Sequence, residues 1–224
     1  MPAPPCPNDA PQPAGLARFL RRAAALKRTP RTGWLHCGVP PAETESVADH
    51  AFGTALLAWL AATGRPDLDR DRVLKLALIH DLAEAVSGDP TPYDPADLPA
   101  DPAARAAFLN RPHVRGPERQ AIKRAAETAA MDDLLGDLPV DLAAELRALW
   151  DEAEARATPE ARFVKQADKL EAFLQSRRYA AEDPGRPVAS FAADAQTHID
   201  DPILSDLRGA IAADPGDPEI SGDA

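Results

Sequence analysis

Leu74 to Thr91 reads LKLALIHDLAEAVSGDPT and sets His80, Asp81, Glu84 and Asp89 in and just beyond an apolar run. The residues before His80 are mostly core types, so the run predicts a buried helix, opened by Asp71 and closed by Gly88. Charged groups are seldom buried unless they are paired or bind a metal. On a helix, His80 and Glu84 (four apart) and Asp81 and Glu84 (three apart) share a face. His80 and Asp81 diverge by about 100° and converge on one ion only if it lies over the edge between them. Two more residues on separate apolar helices complete a donor set. His50 falls in the first turn of one, and Asp168 borders the core stripe of another. Two imidazoles and two carboxylates form a mixed nitrogen and oxygen site, which suits Mn, Fe, Co, Ni or Zn better than Ca, an ion that wants oxygen ligands throughout.

The elements that must position these residues are helices. Leu16, Phe19, Leu20, Ala23 and Ala24 recur at helical spacing from Gly15 onward. Ser46-Val47-Ala48-Asp49 fits a capping box at the head of the helix bearing His50, and Ala51, Phe52, Ala55, Leu56, Ala58, Trp59 and Leu60 make that helix apolar almost all round. Further helices are expected over 118–135 and 141–157. Thr158-Pro159-Glu160 then starts the long helix that carries Asp168. A last amphipathic segment includes Phe191, Ile199, Ile203, Leu204, Leu207 and Ile211. No stretch alternates with period two, so the expected fold is all-α, a helical bundle with one mononuclear metal site between buried helices. Residues 1–14 and 213–224 read as disordered tails around a single domain at 15–212. The Pro-rich segment 92–117 reads as a flexible excursion with a weak helical patch near 103–109.

The 224 residues carry a formal charge of −11, which argues against a nucleic-acid polymer or an anionic membrane as partner. It leaves room for a small phosphorylated ligand, because a bound cation reverses the sign locally. Cys6 and Cys37 are too few for a disulfide framework and read as free thiols. The N-terminal stretch lacks the hydrophobic segment of a secretory signal, and no apolar run approaches the ~20 residues needed to span a bilayer. The expectation is a cytoplasmic protein.

The ordered set His50, His80-Asp81 and Asp168 resembles the HD-domain metal phosphohydrolases. LKRTPRTGW (Leu26 to Trp34), ESVADH (Glu45 to His50), KLALIHDLAEAVSGDPTPYD (Lys75 to Asp94) and FVKQADKLEAFLQ (Phe163 to Gln175) look like the branch of 5′-deoxynucleotidases, which hydrolyse deoxyribonucleoside 5′-monophosphates. The resemblance runs from about Gly15 to Ile211. It implies that His50, His80, Asp81 and Asp168 hold a divalent cation (Mn, Co, Fe, Ni, Zn or Mg). It also implies that Glu84 and Asp89 serve catalysis, that Arg31 and Trp34 belong to the phosphate and deoxyribose recognition element, and that the protein is a homodimer. Chemically, Glu84 would orient or deprotonate the attacking water. Asp89 would either protonate the leaving 5′-oxygen or hold a second cation together with Glu84. The segment between Tyr93 and Arg119 is longer and richer in proline than is usual in that branch.

Each residue has a plainer reading when taken singly. His50 is then a cap, Asp89 a turn residue, Trp34 core, Arg31 the partner of a carboxylate, and Glu171 part of a solvated helix pair. His113 is a loop residue that matters for one alternative, a di-iron oxygenase of the same fold, which needs extra histidines between His80 and Asp168. The other alternative is a non-catalytic nucleotide-binding module stabilised by its metal.

Overall fold

The computed structural model describes residues 13–214. The expected tails lie almost wholly outside this range, except that Pro13 and Ala14 already belong to the first helix and Ala213 to the last, with Asp214 as its C-cap. The described chain is all-α: α1 (Pro13–Ala23), α2 (Thr32–His36), α3 (Val47–Ala61), α4 (Arg70–Ile79), α5 (Glu84–Ser87), α6 (Pro102–Leu109), α7 (Pro117–Leu135), α8 (Val140–Ala155), α9 (Pro159–Glu182), α10 (Ala189–His198) and α11 (Pro202–Ala213). Among the described residues there is no strand, only an isolated antiparallel bridge between Pro30 and Ser46.

α9 is the axis of the bundle. It is started as its sequence predicts, with the Thr158 hydroxyl accepting from the Ala161 N–H at 3.2 Å and Pro159 at the first helical position. It packs against α3, α4, α8, α10 and α11. Phe163, Val164, Ala167 and Leu170 meet Val73, Leu76, Met131, Leu134 and Trp150 in the main core. Each such large side chain, fully buried, contributes roughly 1.5–3 kcal/mol. A second, smaller cluster gathers Trp34, Cys37, Val39, Leu109, Tyr179 and Val188 at the other end of α9. The site lies where the two clusters approach each other.

Three expectations change. The helix through His80 is not continuous: α4 ends at Ile79, and residues 80–83 form tight turns before α5. Leu82 and Glu84 donate their N–H groups to Ile79 and Asp81, three residues back, at 3.0 Å each. The helical-wheel argument for His80, Asp81 and Glu84 therefore does not apply directly. The four-residue stretch is pinched, which is common at functional sites. α3 is not buried all round. Phe52, Leu56, Trp59 and Leu60 are exposed, Phe52 by 68 %. Residues 92–117 are folded: α6 occupies the expected weak patch, Asp101 caps it, and Leu109 is buried.

Candidate metal centre

His50 owes its position to the cap of α3. The Ser46 hydroxyl accepts from the Asp49 N–H, and the Asp49 carboxylate accepts from the Ser46 N–H at 2.8 Å, so the first turn is fixed on both sides. The His50 ring is fully buried. Its Nε2 lies 2.9 Å from Asp168 Oδ1 and 3.8 Å from Asp81 Oδ2, while Nδ1 is hydrogen-bonded to Glu171. His80 closes α4. Its Nδ1–H donates to the Ala77 carbonyl at 2.7 Å, which leaves Nε2 as the bare nitrogen. That Nε2 is buried, has no hydrogen-bond partner, and sits 3.2 Å from Asp81 Oδ2 without hydrogen-bond alignment. The ligating atoms of His50, His80 and Asp168 all fall within 4.8 Å of one another.

An orphaned buried imidazole nitrogen is costly unless something satisfies it. Here it faces a second imidazole and two carboxylates. This donor set fits a divalent cation, whose bonds of about 2.0–2.2 Å to nitrogen and oxygen bring ligand atoms close together. Burial and Arg31 oppose a charge on His50, yet its hydrogen bonds to Asp168 and Glu171 push it up to about 10. Burial works against ionised Asp81 and Asp168 as well. The neighbouring cations, Arg31 among them, nevertheless hold Asp81 below its ordinary range, and Lys165 (2.5 Å from Asp168 Oδ2) and His50 do the same for Asp168.

Glu84 behaves in the opposite way. It is 4 % exposed, and burial together with the charges of Asp81 and Asp89 raises its carboxyl well above the usual range. Its Oε2 has no hydrogen-bond partner. Gly88, at φ +74° and ψ 176°, turns the chain out of α5 in a conformation that side-chain-bearing residues avoid, and so delivers Asp89. Asp89 accepts from the Thr32 N–H at 2.6 Å, and Arg31 Nη1 lies 3.5 Å from both Asp89 and Asp81. Arg31 is itself anchored at the head of α2, where its N–H donates to the Glu45 carbonyl at 3.0 Å. Burial opposes its charge, but Asp89, Asp81 and Glu84 outweigh that and keep it ionised. Arg31, Asp81, Glu84, Asp89 and Asp168 line one cavity of about 390 Å³.

Trp34 also reaches this cavity wall, but its ring is only 1 % exposed. It stacks on Phe191 at 4.1 Å, meets Tyr179 edge-on at 5.1 Å, and donates its indole N–H to Glu45 at 2.7 Å. The structure thus places Trp34 as a brace under the loop that carries Arg31. His113 belongs to no metal-capable group among the described residues and lies instead against Phe108 and Tyr93.

Glu171 is the residue that the sequence pattern undervalued. It is 7 % exposed and orients His50 through Nδ1, the usual arrangement behind a metal-bound imidazole. Two signals pointed to it. It lies one turn beyond Asp168, and Gly53 lies three residues beyond His50. A Cβ at Gly53 would stand 2.6 Å from Glu171 Oε1, so the glycine makes room for that carboxylate.

A buried site of two histidines and two aspartates within an all-α bundle defines the class. Residues 23–203 match the family model described as HD domain, and the chain belongs to that family. The mouse protein named 5′-deoxynucleotidase HDDC2 is 38 % identical over 175 residues, covering 77 % of this chain and 75 % of that one. The fission-yeast protein named 5′-deoxynucleotidase hdd1 is 34 % identical over 164 residues, covering 72 % and 70 %. Among solved structures, one from Magnetospirillum magnetotacticum MS-1, described as a "Predicted metal-dependent phosphohydrolase", superposes with a TM-score of 0.63 at 26 % identity, covering 93 % of each chain.

Proposed function

We propose that this protein is a divalent-metal-dependent phosphomonoesterase that hydrolyses deoxyribonucleoside 5′-monophosphates to nucleoside and phosphate. The observation that carries this reading is the orphaned His80 Nε2, grouped with His50 and Asp168 and 3.2 Å from Asp81, behind a cavity that Asp81, Asp168, Glu84 and Arg31 line. The names of the relatives above support the choice of substrate.

His50, His80, Asp81 and Asp168 hold the cation. When bound, it neutralises phosphoryl charge and lowers the pKa of a water. Phosphoryl transfer then needs chiefly positioning and charge neutralisation. Arg31 pairs with the phosphate, where its planar fork matches two oxygens. Asp89 fixes Arg31 and the head of α2. Glu84 is aimed at the cavity with one free oxygen, so it orients the attacking water and takes its proton. Attack on phosphorus breaks the bond to the 5′-oxygen, which must receive a proton. Asp89 is placed to relay it, or alternatively to share a second cation with Glu84. A di-iron oxygenase would require further histidine ligands, and His113 is committed elsewhere.

The location we propose is cytoplasmic, in keeping with the absence, among the described residues, of a helix long and apolar enough to cross a membrane. We also propose a homodimer, supported by the exposed apolar face of α3 that Phe52, Leu56, Trp59 and Leu60 create. The function is tested by a phosphate-release screen across ribo- and deoxynucleoside 5′-monophosphates with Mn, Co, Ni, Zn and Mg. Release from the deoxy forms is expected, and none from any monophosphate with any of these ions would overturn the reading. Sedimentation at micromolar concentration, with Phe52→Glu as the disrupting variant, tests the dimer.

A further inference from the structure

The cavity lined by Asp81 and Asp168 also has a wall of different chemistry. Past Thr91 the chain leaves the carboxylate-rich end and returns at Arg115. Tyr93, Leu109, Pro112 and His113 from this excursion line the same cavity as Asp81 and Asp168. The excursion is tied down at several points. Arg115 Nη2 donates to the carbonyls of Pro90 (2.7 Å) and Thr91 (3.0 Å), Arg119 Nη1 donates to Asp94 at 2.6 Å, and the Ala189 N–H donates to the Asn110 side-chain oxygen at 3.0 Å. Leu109, 4 % exposed, packs into the second core cluster.

The rings of the excursion form a corner, with Tyr93 edge-on to both Phe108 and His113. The His113 imidazole lies 4.2 Å from the Phe108 ring, tilted by 34°, and 4.8 Å from the Tyr93 ring. Its Nε2–H donates to the Phe108 carbonyl at 2.9 Å, which sets the ring's orientation and leaves Nδ1 as an acceptor. The Tyr93 hydroxyl is fixed by His36 Nδ1 at 3.0 Å. Phe108 does the packing and is absent from the cavity wall, whereas Tyr93 and His113 are half-buried and lie on it. The His113 ring, backed by Phe108, offers one stacking face to a planar ligand, and Tyr93, turned 61° from it, closes the side.

We infer that Tyr93 and His113 form a nucleobase-stacking subsite, a reading that rests on the monophosphatase function proposed above. With the phosphate held by Arg31, the aromatic wall suits the planar part of the substrate, the base. Every base presents a π-face, so the corner recognises the presence of a base more than its identity. Arg111 lines the rim of this end, and its guanidinium has no side-chain partner among the described residues. As a donor-only group it matches the carbonyl edges of a base.

The test uses the metal-loaded full chain and two substrates, a deoxynucleoside 5′-monophosphate and 2-deoxyribose 5-phosphate, which lacks the base. The ratio of their kcat/KM values is the readout. His113→Ala is expected to lower that ratio about tenfold or more, from the usual worth of a base–aromatic stack. His113→Phe, which keeps a ring, is expected to restore most of it. A ratio within twofold of the wild type in His113→Ala, or an equal loss in both histidine variants, overturns the subsite. Calorimetric binding of deoxyadenosine to the wild type and to His113→Ala judges the subsite separately. If the wild type hydrolyses neither substrate, the monophosphatase reading fails, and nucleoside affinity that vanishes in His113→Ala still upholds the subsite, whereas no measurable or equal affinity sinks it.

Discussion

The two ends of the cavity are built by opposite means. At the metal end, the candidate ligands come from a helix terminus, a helix face and the turn that follows α4. His50 sits in a capped first turn, His80 caps the end of α4, Asp81 follows in the turn, and Asp168 lies in the middle of α9. The two histidines and Asp168 are buried, and their partners lie far away in sequence, with Glu171 separated by 121 residues from His50. At the excursion end the wall is a loop and one short helix, held by arginine-to-carbonyl bonds and a single deeply buried leucine. The first arrangement resists change because packing fixes each rotamer. The second tolerates change in sequence and length, because surface loops accept it cheaply. On the proposed reading, chemistry belongs to the rigid end and substrate shape to the adaptable one.

Changes at the rigid end should have the largest effects. His80→Ala removes a ligand and leaves Asp81 and Asp168 facing each other across a gap. It is expected to abolish stoichiometric metal binding and to lower phosphate release by at least about a thousandfold, consistent with loss of a positioned cation. Metal analysis after desalting, paired with a rate measurement, checks both. Normal metal content in this variant would break the ligand assignment. Glu171→Gln acts one step further out. It keeps the size of the side chain and removes the charge behind His50, so metal affinity or activity should fall about 10- to 100-fold. An unchanged metal affinity would show that His50 needs no orienting carboxylate.

The electrostatics of the same end predict a smaller effect that depends on pH. In the metal-free protein His50 is pushed up to about 10, above its ordinary 6.5. A raised histidine contributes stability that is complete below the ordinary value and is lost as pH rises through about 10. Glu45 acts in the same direction. Burial and the neighbouring Glu171 push it up to about 7, so its ionisation costs stability above its ordinary value. The melting temperature of the metal-free form should therefore fall between pH 6.5 and 10. The metal-loaded form should fall less, since the cation replaces the proton on His50. Parallel curves for the two forms would contradict this account.

Much of the rigid end was legible in the sequence. Polar residues on otherwise apolar helices are conspicuous, and Ser46 and Asp49 announce the start of α3 as a capping box. Thr158-Pro159 announces α9 in the same way. What could not be read were contacts set by tertiary packing. Glu171 reads as one charge of a surface pair, and its contact with His50, 121 residues away, is what gives it a role. The break after Ile79 was hidden because HDLAEA has ordinary helix formers throughout, while the structure closes tighter three-residue turns there. The exposure of Phe52 and Trp59 was hidden because composition reports how apolar a helix is, not which neighbours cover it. At the excursion, α6 was visible as a weak periodic patch. Its anchoring was not, because Arg115, Arg119 and Asn110 look like ordinary surface residues until their partners are known.

The central claim is that a cation held by His50, His80, Asp81 and Asp168 works together with Glu84 to hydrolyse a phosphomonoester. Glu84→Gln tests it most directly, with phosphate release from a deoxynucleoside 5′-monophosphate and metal content measured on the same preparation. The account predicts wild-type metal content and a rate lowered by about 10²- to 10⁴-fold, the usual worth of a positioned general base. A variant that keeps both its metal and its full rate would contradict it.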